Sequence, residues 1–370
     1  MLELLADRTK LMDASGIRKV FALAADLKDP VNLSIGQPDF DVPQQVKQAA
    51  VTAIESGCNS YSQTPGLQEL KDAVIAKETS RLHWDNPEVF ISSGVSGALF
   101  LTFLALINPG DEVVIPDPYF VIYKQVINML GGKCVFVDTY PDFRMTPEKV
   151  EAVVTDKTKL IIINTPANPT GVVSTEDELK GIADIAAGRG ILVMSDEIYE
   201  DFCYDGPSPS IAKFYDKTIL MKGFSKNCAM TGWRLGYVVV SQELKPLMNE
   251  LAKLQQYTYV CAPTPLQKAA ITALTVDVSE HVADYARRRD MLVEGLSDKF
   301  EFVRPGGAFY MFIKAPGNLS GTDFVTRAIE NNLLIIPGGV FSERDTHFRL
   351  SYANSPDKLK KGIEILNSIA

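Results

Sequence analysis

Histidine is almost missing from this chain. Three occur in 370 residues, His83, His281 and His347, and none pairs at metal-ligand spacing. Mechanisms built on a Ser-His-Asp or Cys-His grouping therefore have little material. Cysteine is scarce too. Cys58, Cys134, Cys203, Cys228 and Cys261 are odd in number, widely spaced and without a Cys-x-x-Cys pair. That usage excludes a zinc ribbon and reads as reduced thiols in a cytoplasmic protein. Basic residues do not dominate: 37 Lys and Arg against 46 Asp and Glu leave a net charge of −9. Such a chain is a poor non-specific binder of nucleic acid. Long apolar runs are absent as well. The longest, Ala98 to Ile107, spans ten residues and contains Thr102, too short to cross a bilayer. The first residues, Met1-Leu2-Glu3-Leu4-Leu5-Ala6-Asp7, carry acid and no long apolar stretch, so no signal peptide is expected.

What the chain does have is a rhythm of short apolar runs and helical patterns. Glu88-Val89-Phe90-Ile91, Asp111 to Ile115, Lys133 to Val137, Leu160 to Asn164, Ile191 to Asp196, Thr218 to Met221 and Gly236 to Val240 read as strands. Helical stretches follow several of them: one after Ser96-Gly97, one from about Tyr119 to Leu130, one capped by Ser174 or Thr175 before Glu176-Asp177-Glu178. Runs this apolar, without alternation, are buried on both faces. They predict an α/β fold: a large three-layer α/β/α domain with a mostly parallel sheet. From about residue 270 the pattern changes. A long charged helix from Ser279 to Ser297 precedes strand-like Glu301-Phe302-Val303, Ala308 to Phe312, Leu333 to Ile336 and Phe348 to Tyr352, then a final helix. That predicts a smaller α+β domain. The division expected is 40–268 for the large domain and 269–370 for the small one.

In open α/β sheets, ligands lie beyond the carboxyl ends of the strands. The residues following the predicted strands are therefore the candidates. Gly94-Val95-Ser96-Gly97 enters a helix and offers N–H groups to a phosphate, although a plain helix cap accounts for it equally. It fits neither a P-loop nor a dinucleotide fingerprint. Asp196 ends an apolar strand, where a carboxylate needs a cation: a salt bridge, or a protonated ring nitrogen. Lys226, after Gly223-Phe224-Ser225, is placed for Schiff-base chemistry. Arg234, between Trp233 and Leu235, reads as a buried guanidinium that needs an anion such as phosphate. Arg349, between Phe348 and Leu350, is either half of a structural salt bridge or a clamp on a carboxylate. Cys228 reads as a packed thiol. Phosphate donors, an aromatic platform at Tyr119 and Phe120, a ring-nitrogen carboxylate and a reactive lysine together match what pyridoxal 5′-phosphate requires of its protein.

Over nearly its whole length the sequence resembles the fold-type I pyridoxal-phosphate enzymes of the class I/II aminotransferase family, in the subgroup with aspartate and aromatic amino acid aminotransferases. The residues that carry the resemblance are Asn168-Pro169-Thr170-Gly171, Ser195-Asp196-Glu197-Ile198-Tyr199, Gly223-Phe224-Ser225-Lys226 and Met230-Thr231-Gly232-Trp233-Arg234, in that order. The resemblance implies that Lys226 binds the cofactor and moves the substrate proton, and that Asp196 pairs with the ring nitrogen. It implies Tyr199 and Asn168 on the ring oxygen, Phe120 on the ring face, and Val95, Ser96, Ser225 and Arg234 on the phosphate. Tyr61 is implied to reach the phosphate of a neighbouring subunit, and Gly36, Asn168 and Arg349 to bind the substrate carboxylate. A homodimer with shared sites is implied, with residues 1–39 joining the small domain. Amino acid and 2-oxo acid substrates are implied, 2-oxoglutarate among them, with neither nucleic acid nor membrane as partner. A β-lyase on the same fold is the alternative. Two departures stand out: Gly223 replaces a serine common in the family, and Ser96 stands where some aspartate-acting relatives carry lysine. Arg18 is a candidate for a distal carboxylate.

Overall fold

The run Leu160-Ile161-Ile162-Ile163 shows why a sheet forms here. Successive strand residues face opposite sides, and all four are buried. Leu160 and Ile162 join a core with Phe103, Tyr123 and Met221. Ile161 and Ile163 join another with Leu179, Ile182 and Ile211. A strand buried on both faces must have a layer on either side. The structure, a computed structural model, describes residues 4–12 and 27–370.

Its strands are β1 (Val31–Asn32), β2 (Glu88–Ser92), β3 (Glu112–Asp117), β4 (Lys133–Asp138), β5 (Thr158–Asn164), β6 (Leu192–Asp196), β7 (Thr218–Gly223), β8 (Gly236–Val240), β9 (Tyr310–Lys314), β10 (Leu333–Leu334), β11 (Ile336–Pro337) and β12 (His347–Ser351). The large sheet has the order β2-β8-β7-β6-β5-β3-β4. Its pairs are parallel except β2–β8 and β7–β8, because β8 runs against its neighbours. This is the mostly parallel α/β sheet the apolar runs predict. The helix Glu176–Arg189 starts on a capping box: the Thr175 hydroxyl accepts from the Glu178 amide, and the Glu178 carboxylate accepts from the Thr175 amide.

The C-terminal part differs. β11, β12 and β9 form an antiparallel sheet, and β1 pairs with β10 in parallel. The early segment Val31–Asn32 is thereby tied to the end of the chain. The run Leu333 to Ile336 is therefore not one strand: its first half bonds β1 and its second half β12. The expected strand Glu301 to Val303 shrinks to a single bridge, Phe302 to Ile313. Arg304-Pro305-Gly306-Gly307 follows at once, and Pro305 has no amide to extend a ladder. The helix expected from Tyr119 begins only at Ile122. The Tyr119 amide bonds the Phe341 carbonyl instead, which holds the backbone outside the helix. The helix Thr264–Ala273 runs unbroken across residue 268.

Candidate active site

Parallel strands bring their carboxyl ends to one edge, and here that alignment is in register. Asn164 at the end of β5 pairs with Asp196 at the end of β6, and Asp196 pairs with Met221 of β7. A cleft of about 380 Å³ opens over this edge. Its walls include Val95 and Ser96 from the helix after β2, Asp196 from the end of β6, Phe120, Asn168, Tyr199, Ser225, Lys226 and Arg234 from segments that follow or precede the large sheet's strands, and also Gly36 and Arg349. Tyr61 stands apart from this cleft and is 82% exposed. Arg18 lies outside the described residues.

β8 runs backwards, so its start lies at the same edge as the other strands' ends. Ser92 and Gly223 both pair with Gly236 there. This brings Arg234 against Gly94, the first residue of the helix Gly94–Leu106. Gly94 has φ +68°, and a Cβ on it would lie 2.7 Å from the Arg234 Nη2. The helix start and the guanidinium thus form one anion cradle. Arg234 is exposed rather than buried as its apolar neighbours suggest. The cleft is open, and the fork meets solvent there while Nη1 donates to the Thr231 carbonyl at 3.0 Å. Gly223 has a spatial reason too. A Cβ there would come within 3.1 Å of both the Gly236 Cα and the Leu235 carbonyl oxygen.

Asp196 is 2% exposed. It accepts from the Tyr123 hydroxyl at 2.7 Å and from the Ile198 amide at 3.3 Å, partners that are not cations. Burial pushes its carboxyl up to about 6 against those hydrogen bonds. The charge of Lys226 acts on it from beyond salt-bridge distance, and among the described residues no cation pairs with it directly. Tyr123 also packs edge-on against Phe120, with ring centroids 5.7 Å apart. Asn164 braces the same corner, donating to the Asp196 carbonyl and accepting from the Asn168 amide. Neither Tyr123 nor Asn164 was expected from sequence. A tyrosine within an apolar helix gives no signal of its own.

Lys226 is partly exposed to the cleft, and its Nζ donates to the Gly36 carbonyl at 2.8 Å. Burial lowers its amine, and the charges of Arg349 and Arg234 lower it further, to about 8. Arg349, on β12, donates to the Asn168 side-chain oxygen and to the Ser34 carbonyl, both at 2.9 Å. These are neutral acceptors, so among the described residues the structural salt bridge is not made. Its Nε is buried without a partner among those residues, an orphan donor beside the cleft. Cys228 is packed, as expected, with its thiol pushed up to about 12 mainly by burial.

An anion cradle, a carboxylate without a cation, a lysine of lowered basicity and an orphan guanidinium donor fit pyridoxal phosphate and an amino acid. Fold and site together define a pyridoxal-phosphate enzyme. Residues 28–366 match the family "Aminotransferase class I and II". The chain is 38% identical to the probable aspartate aminotransferase of Methanocaldococcus jannaschii, over 99% of this chain and all of that one. It is 35% identical to aromatic-amino-acid aminotransferase 2 of Thermococcus litoralis, over 99% and 98%. The solved aspartate aminotransferase of Thermus thermophilus with maleate superposes with a TM-score of 0.93 at 34% identity, over 99% of both chains. The chain belongs to the class I/II aminotransferase family. It is a pyridoxal-phosphate-dependent aminotransferase acting on amino acids. The lyase alternative finds no support among these relatives.

Proposed function

We propose that this aminotransferase moves the α-amino group of an L-amino acid, with an acidic or aromatic side chain or a broad range of them, to 2-oxoglutarate. The observation that supports Lys226 as its reactive group is an amine pulled down to about 8 in a cleft that also holds a cation-seeking carboxylate. At neutral pH such an amine gives up its proton far more readily than a solvated lysine, which suits a nucleophile and a base. Pyridoxal phosphate, when bound, supplies the carbonyl carbon that carries the amino group and the ring that draws electrons from the substrate Cα–H bond. Lys226 would hold that cofactor and would carry the proton from the substrate Cα. Asp196 would keep a proton on the ring nitrogen. Tyr199 and Asn168 would donate to the ring oxygen, and Phe120 would cover the ring face. Val95, Ser96, Ser225 and Arg234 would hold the phosphate. Arg349, with Asn168 and the Gly36 backbone, turns the substrate carboxylate so that the Cα–H bond faces Lys226.

The exposure of Tyr61 supports its use by a neighbouring copy, in a homodimer with shared sites. The division into residues 1–39 and 269–370 around a large domain at 40–268, and a cytoplasmic setting, complete the reading. The test is a half-reaction: holoenzyme mixed with single amino acids and no oxo acid, followed by absorbance. Conversion of the cofactor to its amine form, with the matching oxo acid released, is the expected result and ranks the donors. Pyruvate and ammonia accumulating with the cofactor unconverted would overturn it.

A further inference from the structure

Tyr310 is a buried tyrosine, 1% exposed, that none of the roles above uses. It lies on β9 and lines the cleft. Its hydroxyl meets that of Tyr199 at 2.8 Å, with the rings nearly perpendicular at 84°. The Arg349 guanidinium lies 4.5 Å from its ring centre and 4.4 Å from that of Phe341. Its hydroxyl also occupies the space a side chain at position 36 would need, and the Gly36 carbonyl holds Lys226. One phenol therefore touches the proposed ring-oxygen donor, the proposed carboxylate clamp and the backbone that holds the lysine.

A phenol has one proton to donate. If Tyr199 donates to Tyr310, its proton is spent away from the cleft. If Tyr310 donates, the Tyr199 proton is free to point into the cleft, and accepting a hydrogen bond makes Tyr199 the stronger donor. Burial raises both phenols and the Arg349 charge lowers both, but the Asp196 charge raises Tyr199 alone, which leaves Tyr310 the more acidic phenol and the better donor. The titratable and charged groups facing this pair are Asp196 below Tyr199, Arg349 and Tyr352 around Tyr310, and Lys226 over the Tyr199 ring at 5.6 Å. We propose that Tyr310 is a positioning residue: by donating to Tyr199 it aims the Tyr199 proton at the cofactor ring oxygen and links that hydrogen bond to the carboxylate clamp Arg349.

The proposal rests on the assignment of Tyr199 to the ring oxygen, so the experiment reads both. A hydrogen bond to the ring oxygen steadies its anionic form and lowers the pH at which the bound chromophore takes up a proton. The measurement is the midpoint of the visible absorbance titration of holoenzyme without substrate. Y199F should raise that midpoint. Y310F should raise it by about half to one pH unit, the scale of one net hydrogen bond. The double variant should match Y199F alone, because Tyr310 acts only through Tyr199. An unchanged midpoint in Y310F, or shifts that add in the double variant, would overturn the proposal while leaving Tyr199 in its role. An unchanged midpoint in Y199F would remove that role and the proposal with it. Replacing Tyr310 by 3-fluorotyrosine keeps the ring and sharpens the donor, and so serves even if Y310F does not fold. Its midpoint should fall, and a rise or no change would overturn the proposal.

Discussion

Lys222 and Lys226 stand four residues apart at the end of one strand, and their surroundings differ in kind. Lys222 is 2% exposed, with its Nζ 2.7 Å from Glu78, 2.6 Å from Glu200 and 3.9 Å from Glu197. Arg81 also pairs with Glu200, and the Tyr237 hydroxyl donates to Glu78. The carboxylates outweigh burial and hold the Lys222 ammonium above its ordinary basicity. Lys226 has a backbone carbonyl; burial, then the like charges of Arg349 and Arg234, lower it to about 8 against the pull of Asp196. The carboxylates divide in the same way. Glu200, despite burial, is held down to about 2 by Lys222 and Arg81, while Asp196 is left near 6. Strand alternation puts Lys222 on the face opposite Met221, which packs with Tyr123 in the core beside Asp196. That face thus carries charges that satisfy one another. The cleft at the strands' edge holds Asp196 and Lys226, which attract each other without forming a salt bridge, and that incompleteness is what a cofactor and a substrate can fill.

The contrast breaks most sharply at Lys226. K226A should cost turnover about 10⁴-fold or more, since both the attachment point and the proton carrier go. Without cofactor its melting temperature should fall little, because the side chain makes one hydrogen bond, to the Gly36 carbonyl, and no salt bridge among the described residues. Rapid turnover in K226A would show that the wanting lysine is not the working one. K222M should do the opposite. It strands the buried Glu78 without its cation and leaves Glu200 to Arg81 and Lys77, at a cost of about 3–5 kcal/mol in stability. The folded fraction should keep its turnover within about tenfold. Denaturant unfolding together with initial rates checks both halves, and a K222M protein that is stable but inactive would erase the distinction.

Arg349 tests the substrate side. R349A removes a charged fork that holds a carboxylate, worth about 2–4 kcal/mol, or roughly 30- to 1,000-fold in kcat/KM for amino acids. The corresponding decarboxylated amines should lose much less. Equal losses on both substrate types would mean that Arg349 supports the fold rather than the clamp.

Much of this arrangement was legible in the residue order. The apolar runs of β5, β6 and β7 have no polar face, so they had to be central strands, and the residues after them had to share an edge. Lys226 and Asp196 stood out because each is costly where it lies. Other features carried no such mark. Tyr310 sits in Phe309-Tyr310-Met311-Phe312 and looks like core; only its contact with Tyr199, distant in sequence, shows otherwise. Leu333 to Ile336 reads as one strand because nothing local shows that its halves serve different sheets. Arg234 reads as buried from its neighbours, and its exposure depends on a cleft built by other segments. The partners of Lys222 are likewise far apart in sequence, so nothing local marks Glu78 and Glu200 as its buried partners.

The smallest expected effect is a slope, and it sits within the satisfied face itself. Glu197 accepts from Ser195 and Ser210, yet its Oε2 has no hydrogen bond and Lys222 lies 3.9 Å off. Burial outweighs Lys222 and pushes it up to about 7, from 4.5. A carboxyl raised on folding binds a proton in the native state that the unfolded state has released. Stability contributed by the protonated form is therefore present below pH ~4.5 and lost as the pH climbs toward ~7. Glu200, lowered to about 2, has the opposite sign and acts in a separate window, losing stability as the pH falls below ~4.5. E197Q keeps the shape and removes the titration. Unfolding measured from pH 4.5 to 7 should show the wild type losing stability relative to E197Q, by a fraction of the ~1.4 kcal/mol per pH unit that one full proton would give. Parallel curves would place Glu197 with the fully paired carboxylates. A divergence would make it the weak member of the cluster, next in sequence to Asp196, the carboxylate left open to the cofactor.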